Sequence, residues 1–339
     1  MSGKKVLVTF NDDGSDKMTV GGKEVEFGSI DESVRDIAAS LNEKGHDARV
    51  VPLRRDVFDV FVREITSFGQ DIIFNVCEAA FGISSYEMNI AALYELYDLK
   101  YTGNAPFTLA VALNKGIAKD ILRSRNVPTA AYYIAASEGE AVPLHMKFPM
   151  IVKPLREDAS IGIDVTSVVK NEAELRARIA HVIKEHHQAA LIEEYIEGRE
   201  FNVSVMGPGD NARVLPPSEI DYTGYPAGLP KIISYEAKWI ETSPLYIRTA
   251  PVCPANVDAE LKGKLETVAL AAFKALMCRD YARVDMRLGT DGLLRVLEVN
   301  PNPDISRDAG FARAARAQGW DYPALVDNIV KTALSRYGA

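Results

Sequence analysis

Asp285, Glu298 and Asn300 stand on two short strand-like runs, 282–286 (Ala-Arg-Val-Asp-Met) and 296–300 (Val-Leu-Glu-Val-Asn), with Asp291-Gly292 marking a turn between them. Side chains alternate along a strand, so Arg283 and Asp285 share one face of the first run, and Glu298 and Asn300 share one face of the second. Two carboxylates and an amide oxygen converging from neighbouring strands make a hard-oxygen site. It suits Mg²⁺ (or Mn²⁺), an ion that keeps some waters and commonly bridges protein carboxylates to nucleotide phosphates. The same pattern describes a plain antiparallel hairpin whose charged residues face water, and by itself it leaves both readings open.

Two further segments bear on that choice. Lys153 ends an apolar run and precedes the loop 155–162 (Leu-Arg-Glu-Asp-Ala-Ser-Ile-Gly), whose small residues expose backbone amides. A lysine offers a point charge and backbone N–H groups offer directional donors, the pairing that phosphates need; a solvated strand edge has the same look. The run 191–196, ending in Glu193, Glu194, Tyr195 and Ile196, leads through Gly198 to Glu200. Its backbone can pair with an adenine edge, Glu193 can take the amino group, and Glu200 can accept from ribose hydroxyls. A charged turn between solvated strands is the alternative.

The elements that must position these residues follow a recognisable order. Residues 5–10, 48–52 and 71–76 read as strands, and 31–44 and 86–97 as helices, with Gly45 as a C-cap. This βαβ alternation predicts an open, largely parallel sheet. Residues 18–25 read as a hairpin turning on Gly21-Gly22. A helix is predicted over 106–126, with Leu109, Leu113, Ile117 and Ile121 as its buried stripe. Then come strands 149–153 and 163–169, a helix 172–185 behind an Asn171 N-cap, strands 189–196 and 200–206, a helix 261–277, the acidic hairpin, and a last helix 322–334. The 216–229 stretch is rich in Gly, Pro and Tyr.

With 339 residues, 47% of them hydrophobic, the chain has room for two or three domains. A formal charge of -8 argues against nucleic acid as a partner. No apolar stretch approaches a membrane span, and the run after residue 5 is too short for a signal sequence. Cys77, Cys253 and Cys278 are scattered, without metal-ligand spacing or a disulfide framework, so a reducing cytoplasm is expected.

Eight segments, in order, resemble the ATP-grasp superfamily and, within it, the D-alanine–D-alanine ligases. They are Phe74-Asn75, Tyr101-Thr102-Gly103, Asn114-Lys115, the 151–157 run around Lys153, Leu191-Ile192-Glu193, Tyr235-Glu236-Ala237-Lys238, Cys253-Pro254-Ala255, and the two acidic strands. The resemblance implies an α/β (α+β) chain: an N-terminal parallel α/β domain (1–105), then a central (106–190) and a C-terminal subdomain (191–339) that sandwich ATP. It places Lys115 and Lys153 on phosphates, Glu193, Glu194, Tyr195, Ile196 and Glu200 around the nucleoside, and Asp285, Glu298 and Asn300 on the metals. Lys238 would reach the transferred phosphate, Arg283 would stabilise the oxyanion, and Ser160 would belong to the catalytic loop. The implied reaction phosphorylates a carboxylate and lets an amine attack the acyl phosphate, with 216–238 as a lid that keeps water out. A homodimer through the first domain is also implied.

Departures from the family pattern bear on substrate. Asn11-Asp12-Asp13-Gly14-Ser15 stands where the family has a glutamate-serine signature, and Cys77-Glu78-Ala79 replaces a His-Gly segment. Asp158-Ala159-Ser160 replaces Gly-Ser-Ser, and Ala309-Gly310 replaces a serine-leucine pair. Asp304 replaces a glycine, and an acid there repels a carboxylate and attracts an amine. The expectation is an amino acid or peptide ligase using something other than two D-alanines, with Glu78 and Asp304 setting selectivity. The alternatives are an authentic D-alanine–D-alanine ligase of peptidoglycan synthesis, a non-catalytic ATP-binding protein, or an ATP-grasp carboxylating enzyme.

Overall fold

The computed structural model describes residues 3–12, 17–20, 23–26, 30–140, 142–143 and 146–338. β1 (Lys5–Asn11) is buried on both faces from Val6 onward and takes the centre of a parallel sheet. A hairpin of β2 (Lys17–Val20) and β3 (Lys23–Glu26) follows, its Gly21-Gly22 turn lying outside the described residues. α1 (Ile30–Glu43) closes with Gly45 at φ +85, whose N–H donates to Asn42 O while His46 N–H donates to Leu41 O. That double bond pattern needs a left-handed residue, which glycine supplies without a Cβ clash. β4 (Asp47–Leu53), α2 (Phe58–Ser67) and β5 (Ile72–Asn75) complete the sheet in the order β4-β1-β5. α2 was not foreseen from the sequence, although Phe58, Phe61, Val62 and Ile65 carry helical spacing. α3 (Glu87–Leu96) and α4 (Pro106–Leu113) pack on the face that presents Leu7 and Ile73.

The single helix expected over 106–126 is two helices. Asn114 leaves helical geometry (φ −84, ψ 91), its side chain accepts from Ile117 N–H, and α5 (Lys115–Ser124) starts anew. Asparagine favours this capping role over a helix interior. The expected stripe breaks with it: Ile117 is 47% exposed, while Ala118 and Leu122 are buried.

β6 (Tyr132–Ala135), β7 (Met150–Pro154), β8 (Val168–Val169), α6 (Glu172–His186) and β9 (Ala190–Glu194) form a second, antiparallel sheet in the order β6-β9-β7-β8, backed by α6. The strand expected over 163–169 shrinks to β8, because Asp164 and Ser167 form a capping box that winds 165–167 into a 3₁₀ turn. β9 ends at Glu194, so Tyr195 and Ile196 lie in a connector rather than in the strand.

The rest builds a third sheet from β10 (Gly198–Gly207), β11 (Arg213–Val214), β12 (Ser218–Ile220), β13 (Pro251–Val252), β14 (Asp280–Gly289) and β15 (Leu294–Asn300). Its order is β13-β12-β10-β14-β15, with β11 on β10. α7 (Tyr235–Trp239) and α8 (Pro244–Ile247) lie between β12 and β13; α9 (Ala259–Ala275) backs the sheet; α10 (Gly310–Ala317) and α11 (Tyr322–Arg336) end the chain. A Cβ on Gly198 would sit 1.9 Å from Leu288 O, so the entry into β10 beside β14 demands glycine.

Two helices join these layers. α5 buries Ala118 and Leu122 in the core of the third sheet while its lysines reach the second. α11 returns to the first sheet, burying Leu325, Val326, Ile329 and Val330 with Val6, Val8 and α1. His46 Nε2 lies 3.1 Å from Asp327 Oδ1, and Arg336 donates to Asp280 at 3.0 Å and to Tyr101 O at 2.8 Å. Among the described residues no helix is long and apolar enough to cross a membrane.

Candidate active site

The register of the third sheet sets Asp285 opposite Asn202 on one side and Glu298 on the other, with Arg283 opposite Asn300. Leu297 bulges out of the ladder just after this point, as Met286 pairs with Val296; bulges re-aim side chains in this way beside functional sites. Arg283 grips Asp285 with both Nε and Nη2 at 2.8 Å, and the amides of Asn202 and Asn300 donate to the same carboxylate at 2.7 and 2.9 Å. Lys115 Nζ stands 3.5 Å from Glu298. Burial alone would raise the Glu298 carboxyl, but Lys115, Lys153, Arg283 and Lys238 outweigh it and hold the group down at about 2. Asp285, Glu298 and Asn300 are therefore brought together as expected, with both Asp285 oxygens facing Arg283 and an amide and one Glu298 oxygen facing Lys115. Asn202 belongs to the same cluster and was not foreseen, because only strand pairing reveals it.

Three lysines converge beside this floor. Lys115 starts α5 and donates to Glu157 O at 2.5 Å and Asp158 Oδ1 at 3.0 Å. Lys153 and Lys119 each pair with one oxygen of Glu193, and all three are buried. Lys119 also donates to Thr129 Oγ1 at 2.7 Å. Desolvation lowers the Lys119 ammonium against the pull of Glu193; at Glu193 desolvation is overcome by the two lysines, which keep it ionised. Two cations on one anion leave surplus positive charge in a dry place, a setting that favours phosphate. Lys119 escaped the sequence reading, although it lies one helical turn after Lys115 and so on the same face. Glu193, expected to meet an adenine amino group, has its carboxylate committed to the lysines.

The nucleoside side is built from the connector after β9. Glu194 and Tyr195 N–H donate to Ala131 O and Pro149 O, each at 3.0 Å, and Ile196 O accepts from Arg287 at 3.0 Å. These backbone groups, expected at an adenine edge, are internally bonded. Glu200 is buried, pairs with Arg287 directly across the β10–β14 ladder, and accepts from Tyr222 OH at 2.8 Å. Arg287 and Tyr222 carried no signal in the local sequence.

The segment 216–238 lies against the loop after β7. Ser160 Oγ donates to Ile233 O at 2.9 Å, Tyr235 N–H to Ile163 O at 2.9 Å, and Trp239 Nε1 to Ala159 O at 2.9 Å. Ile220, Tyr222, Tyr225, Ala237 and Leu245 give this part a small core of its own. Lys238, on α7, is shifted down by desolvation and then by Arg283, with Glu298, Glu78 and Asp285 opposing. Glu78 is exposed at the cleft, yet the protein packed around it raises its carboxyl to about 7, with Asp304 and Asp158 adding to the shift and Lys238 and Arg283 resisting. Asp304 is exposed and caps Ser306 N–H at 2.8 Å. A third acid, Glu87, is buried and bonded to Asn302 at 2.9 Å; burial keeps it well above the usual carboxyl range.

The D-ala D-ala ligase C-terminus family matches residues 128–331. The chain is 32% identical over 251 residues to the D-alanine–D-alanine ligase of Marinomonas sp. (strain MWYL1), covering 74% of both chains. It is 31% identical over 305 residues to the uncharacterized protein y4sG of Sinorhizobium fredii, covering 89% of this chain and 87% of that one. The D-alanine–D-alanine ligase of Bacillus anthracis complexed with ATP superposes with a TM-score of 0.74 over 98% of both chains, at 22% identity, a likeness of fold.

Proposed function

The chain belongs to the D-alanine–D-alanine ligase family and is an ATP-dependent ligase of ATP-grasp fold, and from that premise we propose that it joins a carboxylate to an amine through an acyl phosphate, with a substrate pair other than two D-alanines. In this reading Lys115, Lys153 and Lys119 hold the phosphates, Glu200 meets the ribose, and Lys238 and Arg283 face the transferred group and the oxyanion. A divalent cation fits the donor set of two carboxylates and an amide. Asp285, Glu298 and Asn300 would hold it, and it would neutralise phosphate charge. Ser160 and the 216–238 segment shield the centre from water.

The observation that carries the substrate claim is the pair Glu78 and Asp304: burial raises the Glu78 carboxyl to about 7 with Asp304 adding to the shift, and both acids lie within the field of Arg283. Acids at this end of the cleft favour an amine-bearing or cationic group and oppose a second free carboxylate. The test is amine-dependent phosphate release across panels of D- and L-amino acids and dipeptides, with products identified by mass. A cationic amino acid or a peptide should outperform D-alanine. Efficient D-alanyl-D-alanine synthesis at millimolar D-alanine, unmatched by any other substrate, refutes the claim.

A further inference from the structure

Arg287 occupies an unusual position for a buried charge. It is 3% exposed on β14, and its guanidinium touches three separate parts of the chain. Nη1 donates to Ile196 O in the connector after β9 at 3.0 Å. Nη2 pairs with Glu200 and donates to Lys231 O, inside the 216–238 segment, at 2.7 Å, with Tyr222 OH 3.4 Å away. Lys231 O also accepts from Tyr195 OH at 3.2 Å, and the Tyr195 ring lies under the guanidinium at 5.6 Å. Nε is buried without a hydrogen-bond partner.

A plain ion pair does not need this arrangement. The guanidinium is a rigid fork of donors, so fixing one arm on Ile196 O fixes the other, and with it the direction of the Glu200 carboxylate. Both side-chain contacts to Glu200, from Arg287 and Tyr222, fall on Oε2. Oε1 is then the oxygen a vicinal diol would meet. A methionine or leucine on β14 would fill the same space and fix nothing.

We propose that Arg287 is a positioning residue for the nucleoside: it orients Glu200 toward the ribose diol and ties that orientation to the 216–238 segment through Lys231 O. This rests on the reading that Glu200 meets the ribose. The consequence is nucleotide recognition that depends on the sugar hydroxyls and on the fork, beyond the charge alone.

Calorimetric titration of the full-length protein with ATP and with 2′,3′-dideoxy-ATP tests it without relying on turnover. Hydrogen bonds to an oriented carboxylate predict that the wild type prefers ATP by about 10-fold or more. Arg287→Met should bring the two affinities within about 3-fold of each other, and Glu200→Gln should do the same. Arg287→Lys keeps the charge and loses the fork, so its preference should fall between the two, and it serves if the methionine variant does not fold. If Glu200→Gln loses the preference while Arg287→Met and Arg287→Lys keep the wild-type ratio, the proposal is overturned and the role of Glu200 stands. If wild type and Glu200→Gln both ignore the hydroxyls, the reading of Glu200 fails and takes the proposal with it.

Discussion

Replacing Glu193 by glutamine should damage this protein more than removing either of the lysines it holds, and the structure says by how much. Lys119 and Lys153 each pair with one oxygen of the same carboxylate, and all three side chains are buried. At an effective dielectric of about 20, each contact near 3 Å is worth roughly 5 kcal/mol of attraction, while two ammoniums about 5 Å apart repel by roughly 3 kcal/mol. In wild type the attractions dominate. In Glu193→Gln they vanish, leaving two buried ammoniums that repel until Lys119, already pushed down by burial, gives up its proton, so the loss should fall in the range of about 3 to 5 kcal/mol seen when a buried pair is broken on one side. Lys119→Met removes one attraction and the repulsion together and leaves a neutral Lys153–Glu193 pair; its loss should be about 1 to 2 kcal/mol, part of it the bond to Thr129. Urea unfolding of both variants and the double mutant, followed by far-UV circular dichroism, measures this. The glutamate carboxyl is shifted down, so its contribution is complete above the ordinary value of 4.5 and fades as pH falls below it; the wild-type advantage over Glu193→Gln should shrink on acidification. Equal destabilisation by the two single substitutions at pH 7 would refute the triad as the source of the effect.

Three more outcomes follow from the site. Glu298→Gln should stay folded at neutral pH and lose turnover by on the order of 10²-fold or more, the scale for one preorganised electrostatic partner; phosphate release at the wild-type rate in saturating Mg²⁺ contradicts the metal assignment. Lys153→Ala should weaken ATP binding by about 10- to 100-fold, the worth of a charge-assisted bond, and an unchanged dissociation constant of the folded variant removes it from the phosphate site. Glu78, with its carboxyl raised from 4.5 to about 7, favours the protonated form when folded. Its ionisation therefore subtracts stability as pH rises from 4.5 to 7 and adds no further slope above that. Because the residue is exposed the effect is reduced by screening. Glu78→Gln should flatten that part of the stability profile, and parallel profiles would count against the crowded cleft.

Much of this was legible where the signal is local. Period-2 alternation put Asp285, Glu298 and Asn300 on one face, a glycine after an amphipathic run marked the end of α1, and Asn171 marked the start of α6 by accepting from Glu174 N–H. The motif order reached the family. What failed was partly local as well. The break at Asn114 and the capping box at Asp164 are competitions between side chain and backbone that hydrophobic spacing does not register. The rest was out of reach because it is long-range. Asn202 meets Asp285 across 83 positions, and Arg287 meets Glu200 across 87. Nothing near either residue announces its partner, and the pairing follows only once the register of the third sheet is known.

The return of α11 to the first sheet has a consequence for how the chain comes to be folded on the ribosome. Val6 and Val8 emerge roughly 300 residues before the helix that covers them. At about 5 to 20 residues per second that is an interval on the order of 15 to 60 s. Throughout it the nascent first sheet has α1 to cover Val6 and Val8 but not α11. Only once α11 has left the ribosome can that face of the first sheet close.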